Sequence, residues 1–292
     1  MRVAVLGANG QLGQDVVAAH LAAGDEVIAL THQEVSVESL SSLTQVLEPV
    51  RPDLVVNTAA FHNVERCETE PEPAFAVNAL GARNVAMATA ALGSKLIQIS
   101  TDYVFDGAKA APYVEEDMPR PLNVYANSKL AGEYFVRGAN PRHFILRVSA
   151  IYGLHPCRAK GGLNFVETML KLSRERDRLR VVNDEFVSPT WTAEIARQIA
   201  TLARTEDYGL YHGTAEGSCS WYQFTQTIFE LTGTKTPVEP AAPGEFSSKV
   251  TRPKYSVLEN RALQRKSMNL FRHWKEGLTD YLAARQQALP GT

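Results

Sequence analysis

Residues 2–13 read Arg2-Val3-Ala4-Val5-Leu6-Gly7-Ala8-Asn9-Gly10-Gln11-Leu12-Gly13, and apolar residues return at Val16, Val17 and Leu21. An apolar run, a turn punctuated by glycine and a helical repeat predict strand, tight turn and helix. Glycine lets the backbone approach a pyrophosphate closely, and the amides at the helix start then face its charge. Gly7, Asn9, Gly10, Gln11, Leu12 and Gly13 are therefore candidate cofactor contacts, although the same pattern also makes a strand-to-helix turn that holds nothing.

Outward from this stretch the alternation continues. Glu26-Val27-Ile28-Ala29-Leu30 is a second strand whose tip, Thr31-His32, carries no carboxylate to select an unphosphorylated ribose. NADPH is then admitted beside NADH and mildly favoured, with Thr31 and His32 as candidate contacts; His32 also reads as a plain surface residue. A third strand, Asp53 to Asn57, runs into Thr58-Ala59-Ala60, where the small Ala59 and Ala60 leave room for a cofactor. A helix from about residue 73 to 92 follows, with Phe75, Val77, Leu80, Val85 and Met87 as its core stripe and Asn78 either supporting the site or facing water. The fourth strand, Lys95 to Ser100, delivers Thr101, Asp102 and Tyr103 to the edge where open α/β sheets bind ligands.

Pro121 opens a helix carrying Tyr125 and Lys129, with Leu122, Tyr125, Leu130 and Tyr134 as its apolar face, and His143 to Val148 is a fifth strand. Strands alternating with helices define an α/β chain with a Rossmann-like, doubly wound parallel sheet over residues 1–152. From residue 153 to 292 the rhythm breaks into a smaller C-terminal α/β substrate lobe, some of whose segments return to the sheet. Its elements are helices near 164–173, 192–202 and 221–231 and short strands near 179–182 and 210–212.

Composition narrows the function classes. A chain of 292 residues, 45% of them apolar and with a net charge of -2, can bury a full core. No apolar run approaches the roughly 18 residues that cross a bilayer, and no signal-peptide pattern opens the chain, so no membrane partner and a cytoplasmic location are expected. The three cysteines form no framework or zinc motif. Basic residues cluster only at 171–180, interleaved with acids, which argues against a nucleic-acid partner.

Tyr125 and Lys129 are four apart, so one helix face offers a phenol and an ammonium to one reacting group. With the glycine turn and Ser100-Thr101, this Y-x-x-x-K spacing resembles the extended short-chain dehydrogenase/reductase superfamily. Further stretches resemble the dTDP-4-dehydrorhamnose reductase family: Ser100-Thr101-Asp102-Tyr103-Val104-Phe105-Asp106-Gly107, Lys129-Leu130-Ala131-Gly132-Glu133, Asn183-Asp184-Glu185-Phe186 and Arg252-Pro253. That resemblance implies reduction of the C4 keto group of a nucleotide-linked deoxysugar by NADPH or NADH. Tyr125 would be the acid, Lys129 would lower its pKa and hold the nicotinamide ribose, and Thr101 would bond the carbonyl. Thr101, Asp102, Tyr103, Asn164 and Arg252 would contact the nucleotide-sugar substrate.

Two positions depart from the family. Ala150 stands where a tryptophan usually packs on the sugar, and Ser36 where an aspartate usually lies on the cofactor's adenine side. Some relatives bind Mg2+ between subunits, which would make a homodimer; the matching acids, Asp15, Glu194 and Asp280, read equally as solvated helix residues, and no metal site is read from the residues themselves. The same branch includes the non-catalytic beta subunit of methionine adenosyltransferase. A cofactor-binding regulatory subunit and an epimerase or dehydratase are therefore the rival readings.

Overall fold

A computed structural model of the chain describes residues 1–157, 161–242, 244–246 and 250–288. Its first half lays down β1 (Arg2–Leu6), α1 (Gln11–Ala22), β2 (Glu26–Leu30), α2 (Leu40–Val50), β3 (Leu54–Asn57), α3 (Val64–Thr69), α4 (Pro71–Phe75), α5 (Ala82–Leu92), β4 (Lys95–Thr101), α6 (Val124–Ala139) and β5 (His143–Val148). Then follow β6 (Ile151–Tyr152), α7 (Phe165–Glu175), β7 (Leu179–Val181), β8 (Phe186–Val187), β9 (Thr190–Trp191), α8 (Thr192–Leu202), β10 (Gly209–His212), β11 (Cys219–Ser220), α9 (Trp221–Thr232), β12 (Val238–Pro240), α10 (Arg261–Arg265) and α11 (Trp274–Ala288).

Six parallel strands make the central sheet in the order β10-β5-β4-β3-β1-β2. Alternate residues of β1 serve opposite faces. Val3 and Val5 join a core with Leu12 and Val16 of α1 and Ile195 and Ile199 of α8, whereas Ala4 and Leu6 pack with Leu43, Val85 and Val136 from α2, α5 and α6. Helices therefore cover both sides, as the doubly wound expectation requires. The chain order reverses between β1 and β3, so the crevice at their carboxyl ends is the place for a nucleotide. A separate core of Tyr152, Val166, Phe224, Trp274, Leu278 and Tyr281 holds α7, α9 and α11 together.

Two helical expectations need correction. The helix expected at 73–92 is broken by a π turn, Ala76–Gly81, whose wider turn rotates the residues beyond it; Leu80 is 50% exposed and Phe75 also faces out, while Asn78, Ala79 and Gly81 turn inward. The helix after Pro121 starts later, at Val124, because Asn123 caps it by accepting from Ala126 N at 2.9 Å. Leu122 and Tyr134 are exposed, and the buried face carries Ala126, Lys129, Gly132, Glu133 and Val136. Helices α2, α3, α10 and α11 lie outside the expected set.

Candidate active site

The site assembles at the carboxyl ends of β1, β3 and β4. Gly7 sits at φ 76°, and a Cβ there would lie 2.9 Å from Thr58 Oγ1 and 3.0 Å from Ala59 N, so the turn after β1 lies against the end of β3. A Cβ on Gly13 would lie 2.2 Å from Gly7 O, so α1 is pressed onto the same turn. Gly10 heads α1 without a side-chain cap, and its first turn has no acid. These first amides and the cradle that side chains would fill suit a pyrophosphate. Asn9, Ala59 and Ala60 are half-buried around it, Gln11 donates to His155 O at 3.0 Å, and the Leu12 side chain is core, leaving only its backbone to a ligand.

The tip of β2 differs from expectation. Residues 31–35 turn back, with Glu34 N and Val35 N donating to Thr31 O, and this brings the Glu34 carboxylate onto Thr31 N at 2.7 Å and onto the Thr31 hydroxyl. A carboxylate therefore does stand at this tip, three residues later than the position where one was sought. His32 is exposed.

On the catalytic side, Thr101 is 5% exposed; its Oγ1 donates to Asp102 Oδ1 at 3.1 Å and accepts from Tyr103 N at 3.2 Å. Asp102 faces inward, accepting from Ser149 Oγ at 2.8 Å, and burial raises its carboxyl to about 6 against the pull of the surrounding hydroxyls. The Tyr125 ring meets Tyr103 edge-on at 6.1 Å. Burial pushes the Tyr125 phenol well above its usual range; the Thr101 hydroxyl pulls it back and the Asp102 charge adds to the rise. Lys129 Nζ donates to Ile99 O at 2.6 Å, and burial lowers this ammonium to about 8 while Glu133 pulls the other way. Cys67 adds to the rise of the phenol as Asp102 does, and the Thr101 hydroxyl is the group that opposes it.

Asn78, left open between two roles, is 2% exposed and ties the loop after β3 to α6: it accepts from Phe61 N and donates to Phe61 O and Ser128 Oγ. Arg252 pairs with Glu65 and faces Tyr103 and Glu185, whose carboxyl burial raises while Arg252 pulls it down. Asn164 spends its amide as the cap of α7, donating to Gly153 O and Tyr281 OH and accepting from Glu167 N, so it is placed as a structural cap. Glu194 and Asp280 both accept from Arg272 at 2.7 Å, and Asp15 lies 3.6 Å from His155 Nε2. Among the described residues, no group of three His, Cys, Asp or Glu side chains is arranged to hold a metal ion.

A parallel nucleotide-binding sheet that presents Thr, Tyr and Lys at one edge has the architecture of an extended short-chain dehydrogenase/reductase. Over residues 1–287 the chain belongs to the RmlD substrate binding domain family. It is 39% identical to the spore coat polysaccharide biosynthesis protein SpsK of Bacillus subtilis over 287 residues, covering 98% of this chain and 99% of that one. It is 36% identical to a dTDP-4-dehydrorhamnose reductase of Sinorhizobium fredii, covering 94% and 95%. A Bacillus anthracis dTDP-4-dehydrorhamnose reductase crystallised with NADP superposes with a TM-score of 0.92 at 37% identity, covering 97% and 99%.

Proposed function

We propose that this protein reduces the C4 keto group of a nucleotide-linked deoxysugar, dTDP-4-dehydro-L-rhamnose being the reading its relatives favour, to give dTDP-L-rhamnose. The observation that carries it is the buried Thr101 and Lys129 with the half-buried Tyr125, on a sheet that also carries an uncapped glycine cradle. When bound, a reduced nicotinamide supplies the hydride. Tyr125 gives its proton to the developing sugar alkoxide; even a phenol raised by burial lies below an alcohol near 16, so the transfer runs downhill. Thr101 steadies the same oxygen as charge builds, and Lys129 supplies the adjacent positive charge. Arg252 and Tyr103 bind the substrate, the guanidinium suiting a diphosphate.

The Bacillus anthracis reductase was crystallised with NADP. In this chain Glu34 weighs toward NADH, because its carboxylate repels a 2′-phosphate and already occupies the Thr31 amide. The test mixes purified protein with dTDP-4-dehydro-L-rhamnose and either NADH or NADPH, and follows loss of reduced-nicotinamide absorbance with product analysis. Stoichiometric turnover with the lower KM for NADH is expected, and Tyr125→Phe should lower kcat roughly 100- to 10,000-fold. Absence of turnover on any deoxythymidine or uridine 4-keto sugar would refute the reading.

A further inference from the structure

Strands buried on both faces are ordinarily lined by apolar residues. Here Ser100, Arg147 and His212 stand in register across β4, β5 and β10, none more than 2% exposed. Onto this row α6 lays Glu133, 3% exposed. Arg147 Nε and Nη2 donate to its two oxygens at 2.9 and 2.7 Å, and Ser100 Oγ donates to Oε1 at 2.5 Å. One residue back on β4, Ile99 O accepts from Lys129 Nζ. Successive positions of β4 therefore grip two side chains that lie one helical turn apart on α6.

We propose that Glu133 is a positioning residue for Lys129: gripped by Arg147 and Ser100, its carboxylate fixes the rotation of α6 on the sheet and supplies the lysine's counter-charge. It does so without touching cofactor or substrate. The titratable and charged groups around Lys129 and Tyr125 are few. Helix α6 itself brings Glu133, the turn after β4 brings Asp102 and Tyr103, β5 brings Arg147, and α3 brings Cys67; the π turn brings the neutral Asn78. Of these, Glu133 is the group that opposes the effect of burial on the Lys129 ammonium. Arg147 holds that carboxylate in place by a bidentate pair, with both side chains buried.

The inference rests on the roles proposed for Tyr125 and Lys129, but its first test is independent of turnover. In protein carrying 13C-labelled lysine, NMR follows the titration of each ammonium, and Lys129→Met assigns the signal. In Glu133→Gln the Lys129 titration should move to lower pH by roughly one unit or more, with the other lysines unmoved. The basic limb of the kcat/KM profile should move the same way. Because Glu133→Gln leaves Arg147 unpaired in the core, Glu133→Gln/Arg147→Met, which removes both charges, is read beside it. A Lys129 titration at the wild-type pH in a folded variant overturns the inference. A shifted titration in a protein that turns over no 4-keto sugar upholds it and refutes the proposed activity instead.

Discussion

Ala150 holds a left-handed backbone, φ 44°, between Ser149, which bonds Asp102, and β6. A residue with a Cβ pays about 1–2 kcal/mol for that conformation, and glycine does not. Ala150→Gly is therefore expected to leave stability unchanged or raise it by up to about 1 kcal/mol, the gain being limited by the extra freedom of the unfolded chain. Ala150→Val, β-branched and strained there, should cost roughly 1–2 kcal/mol or more, both read from urea midpoints. The strain was invisible in the sequence, where Ala150 stood out only for its small size. The placement of Thr101 at the end of β4 and of Tyr125 and Lys129 on α6 was legible because a strand end and a four-residue helical spacing announce themselves in one dimension. Glu34 and Glu133 were not, since each acts through a partner reached only by folding: the Thr31 amide behind a reversed turn, and Arg147 on another strand.

Among the elements, α6 decides where the phenol and ammonium sit, and its seating depends on the absence of a side chain. A Cβ on Gly132 would lie 2.3 Å from Asn78 O, in the π turn, and 3.2 Å from Ala82 Cβ. Gly132→Ala should push α6 off the turn, costing about 1–3 kcal/mol as overpacking does, and should lower kcat by disturbing the Asn78–Ser128 bond beside Tyr125. Gly138→Ala, on the same helix with nothing within 4 Å, is the control and should gain up to about 1 kcal/mol. Thermal and urea unfolding with steady-state kinetics separate the two. The strand–helix alternation was readable because apolar periodicity repeats it five times. The π turn was not, because one extra residue per turn shifts the buried face without altering composition. The expected stripe of Phe75 and Leu80 accordingly points outward.

For the whole molecule, pH is the probe of its polar interior. His212, fully buried beside Arg147 and the edge of Phe105, donates from Nδ1 to Glu259 O and is pushed down to about 3, first by burial and then by the Arg147 charge. The folded protein refuses a proton that the unfolded chain takes up near 6.5. The stability this represents is complete above 6.5 and is lost as pH falls toward 3, at about 1.4 kcal/mol per unit. Asp102 acts in the opposite sense: its raised carboxyl favours the folded state as pH drops through 6, so a wild-type stability curve mixes the two. His212→Asn separates them, because Asp102 is common to both proteins and cancels in the difference. At pH 7.5 the variant should be the less stable, having lost a packed ring. Between pH 6.5 and 5 the gap should narrow by roughly 2 kcal/mol as the wild type alone pays for its neutral histidine. A gap that stays constant over that range in urea titrations would mean that His212 is protonated in the fold, and that the row of Ser100, Arg147 and His212 carries a second positive charge beneath Lys129.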